Sequence, residues 1–285
     1  MQNIIVPTDF SIKSFNALSL AKRIARKAKS TIYLVHVYQP PHSHYSVMGE
    51  VVKGEHDDIF AIKLIEKLKK ELEILKTANE DNSFDIEVKL KIGEPYEEIK
   101  AMAKRYNADL IVIGSTGMTD SEEFFLGSLT DKIIRSMSCP VLTVKESIDD
   151  ESFDNIVYAT DLKEDHTAMM NLMLRFQFLF GSTIHIVKVN TAKNFKNDID
   201  TKVALQKLAD RYELKKNYTL NCYGHDDEEY GIVYFADERG ADIIAMGVHE
   251  KSGFRRLISG GSIADEVADH TFRPVLTYQF QTEEK

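Results

Sequence analysis

Short apolar runs and helical stripes alternate along this chain. Ile4-Ile5-Val6 and Leu110-Ile111-Val112-Ile113 are continuous apolar runs, the pattern of strands covered on both faces in a parallel sheet. Asp85-Ile86-Glu87-Val88-Lys89-Leu90-Lys91-Ile92 alternates strictly, so one of its faces is wet and an edge strand is expected. Between these runs the apolar spacing becomes helical. Phe15, Leu18, Ala21, Ile24, Ala25 and Ala28 follow a candidate N-cap at Ser11. Leu64, Leu68, Leu72 and Leu75 mark a second helix, and Ile99, Met102, Ala103 and Tyr106 a third.

The same succession occurs twice. Asn3-Ile4-Ile5-Val6-Pro7-Thr8-Asp9 returns as Asn155-Ile156-Val157-Tyr158-Ala159-Thr160-Asp161, and Thr31-Ile32-Tyr33-Leu34-Val35-His36-Val37 as Thr183-Ile184-His185-Ile186-Val187-Lys188-Val189. Ala108-Asp109-Leu110-Ile111-Val112-Ile113-Gly114 returns as Ala241-Asp242-Ile243-Ile244-Ala245-Met246-Gly247. Gly127-Ser128 matches Gly261-Ser262, and Cys139-Pro140-Val141-Leu142-Thr143 matches Arg273-Pro274-Val275-Leu276-Thr277. The second copy is shorter in its middle, where the segment from Pro40 to Asp58 has a poor counterpart. The acidic stretch Glu146-Ser147-Ile148-Asp149-Asp150-Glu151 separates the copies, so two domains are expected, over 1–147 and 152–285. Each follows the order β-α-β-α-β-α-β-α-β. With right-handed crossovers this predicts an α/β fold in which each half is a five-stranded, parallel, doubly wound sheet.

One spacing carries the candidate chemistry. Gly114, Gly117 and Gly127, followed at once by Ser128, lie between the strand ending at Ile113 and a helix beginning near Leu129-Thr130. Glycine lets a backbone turn through positive φ and bring its N–H groups close to an anion, and the first turn of a helix adds unpaired N–H groups and the positive end of its dipole. A purely structural turn satisfies the same spacing. In doubly wound sheets ligands bind beyond the carboxyl ends of the strands, where the strand order reverses. Both the glycine loop and the Pro7-Thr8-Asp9 turn emerge at that end.

Composition narrows the field. The chain of 285 residues is 43% hydrophobic and 28% charged, which suits a globular protein with room for two cores. A formal charge of −9 disfavours nonspecific nucleic-acid binding. No apolar run reaches the roughly 18 residues of a membrane span, and no secretory signal is expected ahead of the first strand. Cys139 and Cys222 belong to no paired motif, Cys139 reading as a small buried thiol, and a reducing cytoplasm fits.

On Gly114, Gly117, Gly127 and Ser128, with Asp9, His36-Val37, Gly93-Glu94-Pro95 and Cys139-Pro140-Val141-Leu142, the chain resembles the universal stress protein family in its tandem, two-domain form. The resemblance covers nearly the whole chain. It implies two Rossmann-like domains whose last strands pair the halves about a pseudo-two-fold axis, imitating the family's dimer. It also implies ATP binding in the N-terminal half. Adenine contacts would fall on Asp9, within the turn Pro7-Thr8-Asp9, and on the backbone of Val37. Phosphate and ribose contacts would fall after Ile113, on Gly114, Thr116, Gly117, Gly127, Ser128, Leu129 and Thr130. For Asp9 a plain turn acceptor is the competing reading.

The pattern breaks in places. The second copy has His249-Glu250 where the second glycine should stand, so its site is expected to be empty or weaker, with Lys251, Arg255 and Arg256 as partial electrostatic compensation. In the first copy Asp120, Glu122 and Glu123 lie inside the loop. They either face solvent or meet the phosphates through a divalent cation such as Mg²⁺. His42, His44 and His56, with Asp57 and Asp58, are either a metal set or incidental histidines of a polar loop, and no metal site is assigned. His225-Asp226-Asp227-Glu228-Glu229 reads as an acidic helix start without chemistry.

No G-x-x-x-x-G-K-[ST] loop, G-x-S-x-G elbow or H-E-x-x-H helix is present. The common catalytic routes therefore lack their residues, no catalytic residue is assigned, and the resemblance implies a nucleotide-binding regulatory module of the stress response more than an enzyme. A scaffold that binds no nucleotide and a slow ATP hydrolase or nucleotidyl-transfer enzyme are the alternatives. The expected partner is an adenine nucleotide, with no nucleic acid or membrane. A protein partner and a homodimer of the whole chain remain open.

Overall fold

The computed structural model describes residues 1–40, 55–115, 128–148, 152–163, 167–249 and 263–280. The first half runs β1 (Asn3–Pro7), α1 (Ile12–Ala28), β2 (Thr31–Tyr38), α2 (Glu55–Asn79), β3 (Asp85–Ile92), α3 (Pro95–Arg105), β4 (Leu110–Gly114), α4 (Ser128–Ser136) and β5 (Val141–Val144). The second repeats the order with β6 (Asn155–Ala159), α5 (Thr167–Phe180), β7 (Thr183–Asn190), α6 (Asp198–Arg211), β8 (Tyr218–Gly224), α7 (Glu228–Glu238), β9 (Ile243–His249), α8 (Ile263–His270) and β10 (Val275–Phe280).

The halves share one ten-stranded sheet in the order β3-β2-β1-β4-β5-β10-β9-β6-β7-β8. Within each half every pair is parallel, and the order reverses direction between β1 and β4 and between β6 and β9. Apolar strand residues alternate between two faces. The face that includes Ile4, Val6 and Leu110 is covered by α1, α2, α5 and α6, and the face that includes Ile5, Ile111 and Ile113 by α3, α4, α7 and α8. Ile4, Ile5 and Val6 are fully buried, each such side chain contributing about 1.5–3 kcal/mol on burial. A strand buried on both sides has no polar position to spare, which is why these runs are continuous.

The strictly alternating segment is indeed the edge: among the described residues β3 pairs only with β2, and Glu87, Lys89 and Lys91 give its rim a charged row. Ser11 caps α1, its hydroxyl accepting the Ser14 amide at 3.2 Å. Two positions differ from the helical reading. Phe15 is 39% exposed, standing at the margin of the α1 stripe instead of inside the core. Tyr106 closes α3 as its C-cap, and its ring stacks on Tyr33 with centroids 4.0 Å apart. Cys139 is half-buried, and burial pushes its thiol up to about 12, so it packs as an uncharged group.

The junction between the halves is antiparallel and symmetric. Leu142 stands opposite Leu276, flanked by Thr143 opposite Val275 and Val141 opposite Thr277. The buried Thr143 hydroxyl donates to the Val275 carbonyl and the Thr277 hydroxyl to the Val141 carbonyl, both at 3.2 Å. Arg23 of α1 ties down the connecting segment: its guanidinium donates to the Ile148 carbonyl at 3.4 Å and the Ser152 carbonyl at 3.3 Å, and lies over the Phe153 ring.

The repeated Ala-Asp pair before β4 and β9 also has a structural role. Asp109 accepts the Gln2 amide at 2.6 Å and the Asn3 amide at 3.2 Å, and Asp242 accepts the Asn155 amide at 2.8 Å. Each aspartate thus anchors the start of the first strand of its half. Asp109 additionally pairs across the junction with Arg175 at 3.0 Å. Burial pushes the Asp109 carboxyl up, but the Gln2 and Asn3 amides, the terminal ammonium and Arg175 outweigh it and hold it below its ordinary 3.8. A lowered native value stabilises the fold above the unfolded-state pKa, and that contribution is lost as pH falls through the native value. Asp109→Asn should therefore cost about 1–2 kcal/mol at neutral pH. The gap from the parent should close below about pH 4, as measured by urea midpoints across pH; a pH-independent gap would refute the charge contribution.

Candidate functional site

A crevice opens where β2 outlasts β1. The paired register ends at Pro7 opposite Val35, and the Thr8 amide donates to the Val35 carbonyl at 2.8 Å. On the other side of β2 the Gly93 amide donates to the Tyr38 carbonyl at 3.1 Å. Backbone groups along a strand point alternately to its two neighbours. The N–H and C=O of Val37 therefore face the side of β1, past its end, and they border a cavity of about 330 Å³. That size is in the range of small-molecule sites.

Of the residues expected at the site, Pro7, Thr8, Asp9, Val37, Ile113, Gly114, Leu129 and Thr130 all line this cavity. Ser128 begins α4, whose first turn brings Leu129 and Thr130 to the wall. Thr116, Gly117 and Gly127 lie outside the described residues, as do Asp120, Glu122, Glu123, His42, His44, Glu250, Lys251, Arg255 and Arg256; the side chains of His56 and His249 are likewise undescribed. Lys13, Ser14, His36, Pro95 and Ile99 also line the cavity and were not among the expected site residues. The signal for Lys13 and Ser14 was the Ser11 cap, which places the first turn of α1 directly after the Asp9 turn.

The turn after β1 is held by its own side chains. The Thr8 hydroxyl accepts the Phe10 amide at 3.1 Å and lies 3.0 Å from the Ser14 hydroxyl, and Asp9 Oδ1 accepts the Ser11 amide at 3.0 Å. Phe10 takes φ +62°, a left-handed conformation costly for a residue with a Cβ, which these bonds offset. The second half repeats it: Leu162 has φ +65°, with Thr160 Oγ1 accepting the Leu162 amide and Asp161 Oδ1 that of Lys163. The polar atoms of Thr8 are thus engaged within the protein, and its carbonyl accepts from His36 at 2.7 Å. A carbonyl only accepts, so His36 Nδ1 carries the hydrogen. Asp9 is a turn acceptor and also lines the cavity. Burial pushes its carboxyl up, but hydrogen bonds from Ser11 and Ser14 outweigh this and keep it below its ordinary value, so it is anionic near neutrality.

Gly114 has a reason beyond ligand access. A Cβ there would lie 2.5 Å from the backbone carbon and oxygen of Lys13 and 2.9 Å from the Ser14 nitrogen. Glycine lets the start of α1 approach the end of β4, and the Thr130 hydroxyl reaches the Gly114 carbonyl from the third side at 3.4 Å. The cavity therefore sits between the starts of two helices, α1 and α4, with Lys13 adding positive charge and Asp9 a negative one. Such a setting suits a ligand with an anionic part and a polar ring edge.

The universal stress protein family model matches residues 1–145 and again 152–279. A universal stress protein of Methanocaldococcus jannaschii is 30% identical over 51% of this chain and 82% of its own length, and one of Bacillus subtilis is 33% identical over 50% and 97%. Across 97% of this chain and 98% of its own, a universal stress protein from Archaeoglobus fulgidus has the same fold, with a TM-score of 0.75 at 20% identity. A universal stress protein determined in complex with cAMP is 27% identical over 51% of this chain and 98% of its own, with a TM-score of 0.35. Among the described residues no helix is long and apolar enough to cross a membrane.

Gly114→Ala should lower stability by about 1–3 kcal/mol, the usual cost of forcing an atom into packed backbone. Urea unfolding checks this, and an unchanged midpoint would show that α1 and β4 separate readily.

Proposed function

Because the chain belongs to the universal stress protein family, matched in both halves, we propose that its N-terminal half, 1–147, binds ATP in the crevice beside Asp9 and acts as a nucleotide-responsive regulatory module of the stress response. The observation that carries this reading is the convergence, at the point where strand order reverses, of the Val37 backbone, the Asp9 carboxylate and the starts of α1 and α4 on one cavity. Asp9 accepts from the amino edge of the adenine, and the Val37 C=O and N–H complete that edge. Pro7, Thr8 and Ile113 shape the apolar wall. Gly114, Thr116, Gly117, Gly127, Ser128, Leu129 and Thr130 form the ribose and phosphate end, where backbone N–H groups and hydroxyls donate to anionic oxygens.

Lys13 adds a cation to that end. Mg²⁺ would travel with the phosphates, whose oxygens are hard ligands for it. Binding rather than turnover is the activity proposed, in a cytoplasmic protein whose second half, 152–285, carries the altered copy of the loop.

Mass spectrometry of the protein as purified, followed by calorimetry with ATP in Mg²⁺ and in EDTA, tests the reading. One ATP per chain is expected. Lys13→Ala should weaken ATP about tenfold, the worth of one charge-assisted contact, while leaving adenosine little changed. Asp9→Ala should weaken both. Absence of binding under either condition would leave the scaffold reading in its place.

A further inference from the structure

The second half repeats the strand ends that border the first cavity and sets a different side chain beside them. β6 ends at Ala159 opposite Val187, the Thr160 amide donates to the Val187 carbonyl at 3.0 Å, and the His225 amide donates to the Asn190 carbonyl at 3.1 Å. By the alternation that exposes Val37, the Val189 N–H and C=O face the side of β6 beyond its end. Here the repeat places Lys188 where the first half has His36. Lys188 is only 2% exposed, and its Nζ donates to the Val189 carbonyl at 2.6 Å. His36 instead turns its Nδ1 to the Thr8 carbonyl, and Val37 borders the cavity.

We propose that Lys188 is the built-in occupant of the second crevice: its ammonium takes the Val189 carbonyl that the equivalent Val37 offers to a ligand's ring-edge donor, making this position the determinant of which half accepts an adenine. The proposal rests on the reading of the first crevice as an adenine site. Two further observations support it. Glu228, at the first position of α7 where the first half has the cavity-lining Pro95, accepts the Asn194 amide group at 3.0 Å. That bond ties the β7–α6 connection to the rim of the crevice. Glu228 and Asp161 also act on Lys188 as compensating negative charges, against the repulsion of Lys163 and Lys196. A buried ammonium requires such compensation, and burial still pushes Lys188 below its ordinary value.

Adenosine is the suitable probe, because it is neutral and makes no demand on the phosphate end. In equilibrium dialysis the wild-type chain should bind one adenosine, and Lys188→His, which installs the first-half residue, should bind two. Lys188→Met, an apolar chain of similar length, should also gain a second equivalent, which separates opening of the crevice from any contact made by the new imidazole. Asp9→Ala combined with Lys188→His should return the count to one. Thermal midpoints by circular dichroism establish that each variant is folded. Two equivalents on the wild-type chain, or no gain in either folded Lys188 variant, would overturn the proposal. One for the wild type with no gain in either variant overturns this proposal alone, whereas zero for the wild type sinks the N-terminal reading and this proposal with it.

Discussion

Each half contains a second strand that is longer than the first. β1 stops at Pro7 while β2 continues to Tyr38, and β6 stops at Ala159 while β7 continues to Asn190. Hydrogen-bonding groups that would belong to a ladder are left facing a space instead of a neighbour, and a backbone group so placed needs a partner from water, ligand or side chain. The turn after β1, the first turns of α1 and α4, and the identity of the residue at His36 or Lys188 are all arranged around that unpaired stretch of chain. In the second half the Lys188 ammonium meets that requirement at the Val189 carbonyl.

Helix α1 connects this local requirement to the architecture. Its first turn contacts Thr8 through Ser14 and passes so near Gly114 that no side chain fits between them. Midway along, Arg23 holds the segment that leads into the second half. One rigid element therefore touches the crevice at one end and the connection between the halves further on. A shift of α1 would be felt at both places.

Much of the fold was legible because burial on both faces of a central strand admits only apolar residues, so Ile4 to Val6 and Leu110 to Ile113 declare themselves. The charged alternation of β3 likewise declares an edge. The cap at Ser11 and the acidic start of α7, where Asp227 accepts two amides, followed from local chemistry. Phe15 misled because helical spacing says which residues share a stripe and not which of them lies at its margin. At the site, Asp9, Val37 and Gly114 could be named from the motif, but not why Gly114 must be glycine, since its constraint comes from Lys13, a residue far away in sequence. Glu228 was read as one of a run of dipole-favouring carboxylates, and its bond with Asn194 and its charge effect on Lys188 depend on the tertiary fold. Lys188 stood in plain alignment with His36; its significance emerged only once its ammonium was located.

The antiparallel seam of β5 and β10 has a directional consequence. All strands of one half run against those of the other, so the two carboxyl-end openings lie at opposite margins of the sheet and face away from each other. A small molecule seated at one margin leaves the other free for a different contact, and neither occupant sterically obstructs its counterpart.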